Sequence, residues 1–170
     1  MPQHLELLVQ YAPLMLSGLA TTAWICALAA VLGISVGLVL TILGGIGLRP
    51  LSWIVRLYIE IMRGLPILIL LFVLYYGGPS IGLRLNAETV GVVGLGFYGA
   101  AYFAEIFRSG FQSISKGQIE AARLAGLTGA QIIRYIKLPQ MLMLITPPMV
   151  NQIIILIKES AVLSIITVAE

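Results

Sequence analysis

The stretch from Leu14 to Leu43 contains no charged residue. A helix needs about 20 apolar residues to cross the hydrocarbon core of a bilayer, so this stretch predicts a membrane-spanning helix with length to spare. Hydrophobic residues make up 59% of the 170-residue chain and charged residues 10%, with a mean hydropathy of +1.03. A soluble domain carries roughly 25% charged residues. The sequence therefore predicts an all-α membrane protein, a polytopic helical bundle.

Three further apolar segments follow the first. The four predicted spans are residues 14–43, 57–78, 88–107 and 147–168. Thr146 followed by Pro147 and Pro148 predicts the start of the last span, because proline is tolerated in the first turn of a helix. A fourth helix from Met141 to Ile157 is also compatible with the pattern, and both possibilities stay open.

Two of these segments have distinctive residue patterns. Just before the second span, polar residues recur at steps of four, four and three: Ser52, Arg56, Glu60 and Arg63. This stripe predicts an amphipathic helix that lies at the membrane interface or leads into the second span. The third span is rich in glycine and alanine, which let helices approach closely in lipid. We therefore expect the third span to be central and packed on several sides.

Basic residues are distributed asymmetrically between the predicted loops. Arg84 lies on one side, and the others lie on the opposite side: Arg49, Arg56, Arg63, Arg108, Lys116, Arg123, Arg134 and Lys137. Cytoplasmic loops carry an excess of lysine and arginine. Residues 108–140, called the cytoplasmic segment below, are therefore predicted inside the cell and both termini outside. The net charge of +3 reflects this topology and does not indicate nucleic-acid binding.

The cytoplasmic segment carries signals for two short helices. Ser115 with Gln118 matches the capping-box pattern that starts helices, and so does Thr128 with Gln131. Gly126 lies where the first helix would end. Helices of roughly ten residues are marginal alone in water and need a partner surface. Capping alone also fits an ordinary loop packed against the bundle.

The same segment contains a longer motif: Glu120-Ala121-Ala122, three residues, Gly126, nine residues, then Ile136-Lys137-Leu138-Pro139. This motif matches the cytoplasmic motif of ABC importer permeases at every defining position. Two other stretches resemble the polar amino-acid branch of that family, Met62-Arg63-Gly64-Leu65-Pro66 to Tyr75-Tyr76-Gly77 and Ala101 to Gly110. The resemblance covers about residues 60 to 170.

The resemblance implies that the motif forms coupling helices, which dock in a groove of a separate ATPase subunit. Small alanines allow close approach, Gly126 permits the bend, and Glu120 with Arg123 supplies charge for orientation. Pro139 is expected to stop the second short helix. The residues assigned to ATPase coupling are Glu120, Ala121, Ala122, Arg123, Gly126 and Pro139.

Polar residues within the predicted spans are candidates for a substrate pathway, since charge inside the bilayer is costly and usually lines a path. They are Tyr98, Tyr102, Asn151, Lys158 and Glu159. If the fourth helix starts near Pro147, Lys158 lies about 16 Å deep, close to the middle of the core. If that helix starts at Met141, Lys158 and Glu159 are interfacial. Glu105 is expected to pair with Arg108 rather than to bind substrate.

Several classes of site are disfavoured by composition. Cys26 and His4 are each the single residue of their type, which excludes an intrachain disulfide and argues against a metal site built from cysteine or histidine. The chain has no Gly-x4-Gly-Lys-Ser/Thr loop, so ATP would be hydrolysed on a partner. We predict no cofactor, no metal and no enzyme activity of its own.

The leading interpretation is a permease subunit of an ATP-driven importer for a polar amino acid, in a bacterial inner membrane. The expected partners are an ATPase, a second permease subunit, an extracytoplasmic substrate-binding protein and membrane lipid. The alternative is a passive channel or ion-coupled carrier, which would explain the polar residues in the spans but not the cytoplasmic segment. The family core has five spans, and we expect the fifth to be missing from this chain.

Overall fold

The computed structural model describes residues 3–166, with side chains from residue 10 onward. Every regular element within this range is a helix. The α-helices of this range are α1 (Gln3–Gly45), α2 (Arg49–Gly64), α3 (Ile67–Phe72), α4 (Ala87–Gln112), α5 (Lys116–Leu124), α6 (Gly129–Ile132) and α7 (Leu138–Ser160). Turns of π- or 3₁₀-helix extend three of them: Val73–Gly77 and Gly78–Ile81 after α3, Ile133–Lys137 between α6 and α7, and Ala161–Ile166 after α7. The predicted end of the fourth span at Val168 lies outside the described residues.

Three helical stretches are long and apolar enough to cross a membrane, namely Gln10–Gly45, Ala87–Gln112 and Gly129–Ile166. A fourth crossing is possible if α2 and the bent continuation Ile67–Ile81 form one span. In the most apolar window of α4, 67% of the residues are buried, against 28% in each of the other two stretches. The prediction that this helix is central is therefore confirmed.

The α1–α4 seam, where these helices run side by side in the same direction, is built from small residues. A methyl group added to Gly37 would lie 2.8 Å from the Phe103 Cβ and 2.9 Å from the Ala104 nitrogen. One helical turn further along α1, the Thr41 hydroxyl donates a hydrogen bond to the Ala104 carbonyl at 3.1 Å. The absence of a side chain at Gly37 therefore allows direct backbone contact between the two helices.

Helix α7 packs against α4 in the opposite direction. Gly110 near the end of α4 faces Ile145, whereas Gly99 near its middle faces Leu156. Along the bundle axis, residue numbers therefore fall in α4 as they rise in α7. These two contacts show which residue of α4 lies level with a given residue of α7.

The segment predicted as the second span, residues 57–78, is not one straight helix. α2 ends at Gly64, and the following helical stretch is bent away by 103°. Pro66 causes the break, because proline lacks an N–H and disfavours the helical conformation of the residue before it. Leu65 accordingly has an extended backbone, with φ −95° and ψ 136°.

α2 is the amphipathic helix that its polar stripe predicts, and it is fixed to the bundle by side-chain hydrogen bonds. The Ser52 hydroxyl donates to the Gly44 carbonyl at 3.0 Å, and the Tyr58 hydroxyl donates to the Phe97 carbonyl at 2.6 Å. Trp53 on the opposite side is 67% exposed. The helix therefore crosses α4 with one side packed and another facing outward.

The predicted start of the fourth helix at Pro147 is wrong. α7 is continuous from Leu138 to Ser160, with Pro147 and Pro148 inside it. Proline is tolerated in membrane helices where neighbouring groups compensate for the lost hydrogen bond. Of the two possibilities left open by the sequence, the one that starts at Met141 is nearer, although α7 begins earlier, at Leu138, and extends beyond Ile157 to Ser160.

The expectation that Pro139 stops the second cytoplasmic helix is also wrong. The chain passes from α6 through the π-helical turn Ile133–Lys137 directly into α7. In this turn the Leu138 N–H donates to the Ile133 carbonyl, five residues back. The wider turn shifts the hydrogen-bond register just before Pro139, whose ring would otherwise clash with the carbonyl four residues earlier.

Candidate coupling segment and transport pathway

Both predicted helix starts in the cytoplasmic segment are present. Thr128 forms a complete capping box, since its N–H donates to the Gln131 side-chain oxygen at 2.8 Å and its hydroxyl accepts the Gln131 N–H. Ser115 forms half of one, accepting the Gln118 N–H at 3.4 Å. The Gln118 side chain instead accepts a hydrogen bond from the Gln140 amide at 2.7 Å. This last bond ties α5 to the first turn of α7.

Gly126 ends α5 as the sequence predicts. Its φ of +79° lies in the left-handed region that side chains other than hydrogen disfavour. The Gly126 N–H donates to the Arg123 carbonyl at 3.0 Å, and the Leu127 N–H donates to the Ala122 carbonyl at 3.1 Å. These two bonds form a Schellman motif, which ends α5 and turns the chain toward α6.

Four of the residues assigned to coupling lie on α5, on two sides of this helix. Glu120, Ala121 and Arg123 are exposed, whereas Ala122 is buried, with 6% exposure. Ala122 therefore packs within this chain, and close approach of another protein is possible at Ala121. Leu124 also faces outward and is 91% exposed, the most exposed large apolar side chain among the described residues. Gly126 and Pro139 are exposed as well.

A cleft separates α5 from the helix that leads into α7. Ile119, Leu127 and Ile132 contribute apolar walls to this cleft, and Arg123 and Lys137 also line it. Two cations at the edge of an apolar cleft favour contact with a surface that carries an acidic group beside an apolar one.

Three polar groups of α2 and α4 are in contact, and a carboxylate of α7 lies within electrostatic range of one of them. The Tyr98 and Tyr102 hydroxyls are 3.0 Å apart, and Tyr98 is only 8% exposed. Glu159 on α7 is near enough to interact electrostatically with Tyr98. The Arg63 guanidinium at the end of α2 lies over the Tyr102 ring, 5.4 Å from its centroid. This arrangement combines an anion, a cation and two hydroxyls, which is the chemistry that a zwitterion requires.

Asn151 and Lys158 are not part of that cluster. Both side chains are exposed, on the side of α7 opposite the one that packs on α4. Since Leu156 is level with Gly99, Lys158 and Glu159 are level with the middle of α4 rather than with its end. The central depth in the bilayer was expected from a helix start at Pro147, which is wrong. The depth of these charges in the bilayer therefore stays a prediction.

Glu105 pairs with Arg108, as the sequence predicts. The Arg108 Nε donates to a Glu105 carboxylate oxygen at 2.8 Å, and another guanidinium nitrogen donates to the Gln112 side chain at 2.6 Å. Arg56 and Arg63 also interact electrostatically with Glu105. The carboxylate is therefore paired within α4 and lies within electrostatic range of two arginines of α2.

Three residues at these sites were missed by sequence reasoning: Arg63, Leu124 and Gln152. Gln152 is 4% exposed, and its amide nitrogen has no hydrogen-bond partner among the described residues. Gln152 lies four residues before Leu156, so both side chains face the same buried side of α7. This spacing could have identified Gln152 from the sequence.

Within the part of the chain that the structure describes, no group of three or more His, Cys, Asp or Glu residues lies close enough together to hold a metal ion.

The sequence is similar to a described family and to several of its curated members. Residues 33–169 match the family described as binding-protein-dependent transport system inner membrane component. The probable glutamine ABC transporter permease protein GlnM of Bacillus subtilis (strain 168) is 43% identical over 118 residues, which are 69% of this chain and 55% of GlnM. The probable amino-acid ABC transporter permease protein YckA of the same strain is 39% identical over 165 residues, which are 97% of this chain and 73% of YckA.

The fold is also similar to a solved structure, described as an amino acid ABC transporter with histidines. The superposition has a TM-score of 0.90 at 38% identity and covers 96% of this chain and 76% of the solved one. This chain thus spans little more than half of GlnM and about three quarters of the other two proteins. With the cytoplasmic motif and the helical bundle in place, the chain belongs to the family of binding-protein-dependent transport system inner membrane components, as a multi-pass permease subunit of the amino-acid ABC transporter type.

Proposed function

We propose that this chain transports a polar amino acid into the cell, in an assembly where a separate ATPase subunit hydrolyses the ATP. The observation that carries the proposal is the geometry of the cytoplasmic segment. Its first helix presents an exposed surface that nothing in the described chain covers, and its second helix continues without a break into a membrane-spanning stretch, Gly129–Ile166.

This continuity supplies a path for mechanical force. A push on α5 is transmitted through the Schellman turn at Gly126 and through the hydrogen bond between Gln118 and Gln140. Both connections lead into the single long helix that contains α7. Closure of two ATPase subunits would therefore move α7 relative to α4, and that movement would switch the bundle between outward and inward access.

Six residues share the coupling role in two ways. Glu120, Ala121 and Arg123 are exposed on α5 and contact the ATPase in this proposal. The other three, Ala122, Gly126 and Pro139, set the shape of the segment. Leu124 adds an apolar side chain large enough to fill a pocket on the partner.

The amino acid is proposed to bind at mid-depth, beside Tyr98, Tyr102 and Glu159. Glu159 provides an anion for the substrate's ammonium group, and Arg63 provides a cation for its carboxylate. Lys158 and Asn151 face away from this cluster and border the route followed by the substrate on leaving it. This division follows from the angle of about 100° between neighbouring residues on a helix.

One chain provides one side of such a route. A charged Lys158 in contact with hydrocarbon at this depth would cost a few kcal/mol or more. We infer that a second permease subunit, identical or homologous, faces this side of α7 across the passage. An extracytoplasmic binding protein would deliver the substrate, and lipid would surround the assembly in the inner membrane. In this proposal the chain itself catalyses no reaction.

Reconstitution tests the proposal directly. The full transporter, with its ATPase and second permease subunit, is placed in proteoliposomes with ATP and binding protein on opposite sides, and a panel of radiolabelled polar amino acids is offered. We expect uptake of one or a few of them, dependent on hydrolysable ATP. Uptake that continues without ATP would overturn the proposal in favour of a channel or carrier.

The same assay tests the binding cluster. Glu159→Gln removes the anion proposed to bind the ammonium group, and a hydrogen bond to a charged group is worth about 1.5–3 kcal/mol. The KM for uptake should rise at least about tenfold. Glu88→Gln, an exposed carboxylate in the first turn of α4, is the matched control and should leave the KM unchanged. An unaltered KM in the Glu159 variant would remove this residue from the substrate site.

A further inference from the structure

Three side chains near the start of α2 combine two cations with an aromatic ring. Arg49, Trp53 and Arg56 follow one another at four and three residues, which brings them within about 60° of one another around the helix axis. All three are exposed. Neither arginine forms an ion pair within the described residues, where the one ion pair joins Glu105 and Arg108. Both guanidinium groups are therefore available to an anion from outside the chain.

The neighbouring side of the same helix is apolar and uncovered. Ile54 is 62% exposed, Leu57 is 42% exposed and Ile61 is 46% exposed. Leu48, which immediately precedes the helix, is 58% exposed. Trp53 lies at the boundary between this apolar side and the arginines. A cationic side next to an apolar side, with tryptophan between them, is the pattern of helices that lie in a membrane interface.

The first half of α2 lies against the end of α1. In addition to the hydrogen bond from Ser52 to the Gly44 carbonyl, a methyl group on Gly44 would be 3.6 Å from Val55 Cγ1. The distribution of basic residues predicts that this end of the bundle is cytoplasmic, and the cytoplasmic leaflet carries anionic lipids. Glu60, the acidic residue of the polar stripe, lies one turn beyond Arg56 and thus farther along the helix from this end.

We propose that Arg49, Trp53 and Arg56 form a binding site for an anionic phospholipid of the cytoplasmic leaflet. The two guanidinium groups donate hydrogen bonds to the oxygens of its headgroup phosphate, an anion whose geometry matches their fork of donors. The acyl chains lie along the exposed apolar side that contains Ile54 and Leu57. This inference goes beyond the proposed transport function, because binding of the lipid requires neither ATP nor substrate.

Lipid binding to the assembled transporter tests the site. The purified complex in a mild detergent is titrated with phosphatidylglycerol, or with phosphatidylcholine of the same acyl chains, and native mass spectrometry counts the bound lipids. In the double variant Arg49→Gln, Arg56→Gln, the affinity for one phosphatidylglycerol per copy of this chain should fall at least about tenfold, since each arginine attracts the anionic headgroup. The weaker binding of phosphatidylcholine should change little.

Two control variants separate loss of this site from other effects. The double variant Arg84→Gln, Lys116→Gln removes the same charge from exposed positions outside α2 and should keep the affinity for phosphatidylglycerol. The variant Arg49→Lys, Arg56→Lys retains both cations and should keep most of it. If the glutamine variant on α2 bound phosphatidylglycerol as tightly as the Arg84 and Lys116 variant, the proposal would be overturned. Equal affinity of the unsubstituted complex for the two lipids would also overturn it.

Cross-linking tests whether lipid or protein covers the apolar side of α2. A photoreactive residue at Ile54 in the assembled transporter, illuminated in membranes, should become attached to phospholipid. The same residue at Leu124, which is 91% exposed in the cytoplasmic segment, should give no phospholipid adduct. An adduct of position 54 with a second permease subunit would overturn the proposal, because this side would then be an interface between subunits. None of these measurements requires uptake, so they fail or succeed separately from the proposed function.

Discussion

The α1–α4 seam and the cytoplasmic segment both depend on glycine, for different physical reasons. At the seam, a methyl group on Gly37 would overlap the backbone of α4. At Gly126, nothing lies within 4 Å of the place where a methyl group would be, but φ is +79°. The seam is therefore fixed by tertiary packing and the segment by its own backbone conformation. Substitutions at the seam should affect folding, whereas substitutions in the segment should affect coupling and leave the bundle intact.

The largest effect is expected at Gly126. Gly126→Pro forces φ to about −65° and removes the N–H that donates to the Arg123 carbonyl. The turn after α5 cannot form, so ATP-linked uptake should be abolished. The measurement is ATP-dependent uptake in proteoliposomes, together with the amount of protein inserted in the membrane, which should be unchanged.

Gly129→Pro is the matched control within the same segment. Gly129 is the first residue of α6, a position that suits proline because its N–H has no partner in the helix. The preceding residue, Thr128, already has the extended backbone that proline favours. Uptake should therefore survive in this variant. If Gly126→Pro transported as well as Gly129→Pro, the segment would not depend on its backbone turn.

The second largest effect is expected at the α1–α4 seam, where substitutions should lower stability. Gly37→Ala should destabilise the bundle by about 1–3 kcal/mol, because the added methyl group meets backbone atoms that cannot move aside. The thermal unfolding of the detergent-solubilised transporter measures the change. Gly45→Ala, at the end of the same helix, has open space around it and should be nearly neutral. Equal stability of the two variants would show that the seam is not tightly packed.

The smallest effect we expect is a gain in thermal stability. Gln152→Leu replaces a buried amide whose nitrogen has no partner among the described residues, and such a group costs about 1–3 kcal/mol. The thermal unfolding midpoint should rise by a few degrees. Gln140→Leu changes a glutamine that is bonded to Gln118 in the cytoplasmic segment, and it should weaken coupling without raising the midpoint. A fall in the midpoint of Gln152→Leu would mean that the amide is satisfied.

Local signals in the sequence predicted the elements that local physics determines. The capping box at Thr128 and the helix end at Gly126 depend on residues within a few positions of one another, and both are present. The pair formed by Glu105 and Arg108 lies within one helical turn and was likewise predictable. The glycine and alanine content of the third span identified the central helix, because small residues let helices approach closely in lipid.

Features that depend on neighbouring helices were not predictable in the same way. Pro66 breaks its helix, whereas Pro147 and Pro148 do not. Proline alone does not reveal whether adjacent groups compensate for a lost hydrogen bond. The separation of Glu159 from Lys158 depends on which side of α7 meets α4. That choice is made by the contact between Gly99 and Leu156, which a single sequence does not specify.

Site-specific cross-linking to the ATPase tests the central claim most directly. A photoreactive residue is placed at Leu124, which is 91% exposed on α5, or at Ile81, which is 77% exposed at the other end of the bundle. In membranes that contain the assembled transporter, illumination should link position 124 to the ATPase subunit and leave position 81 unlinked to it. Absence of any ATPase adduct at position 124, or an adduct at position 81, would contradict the account.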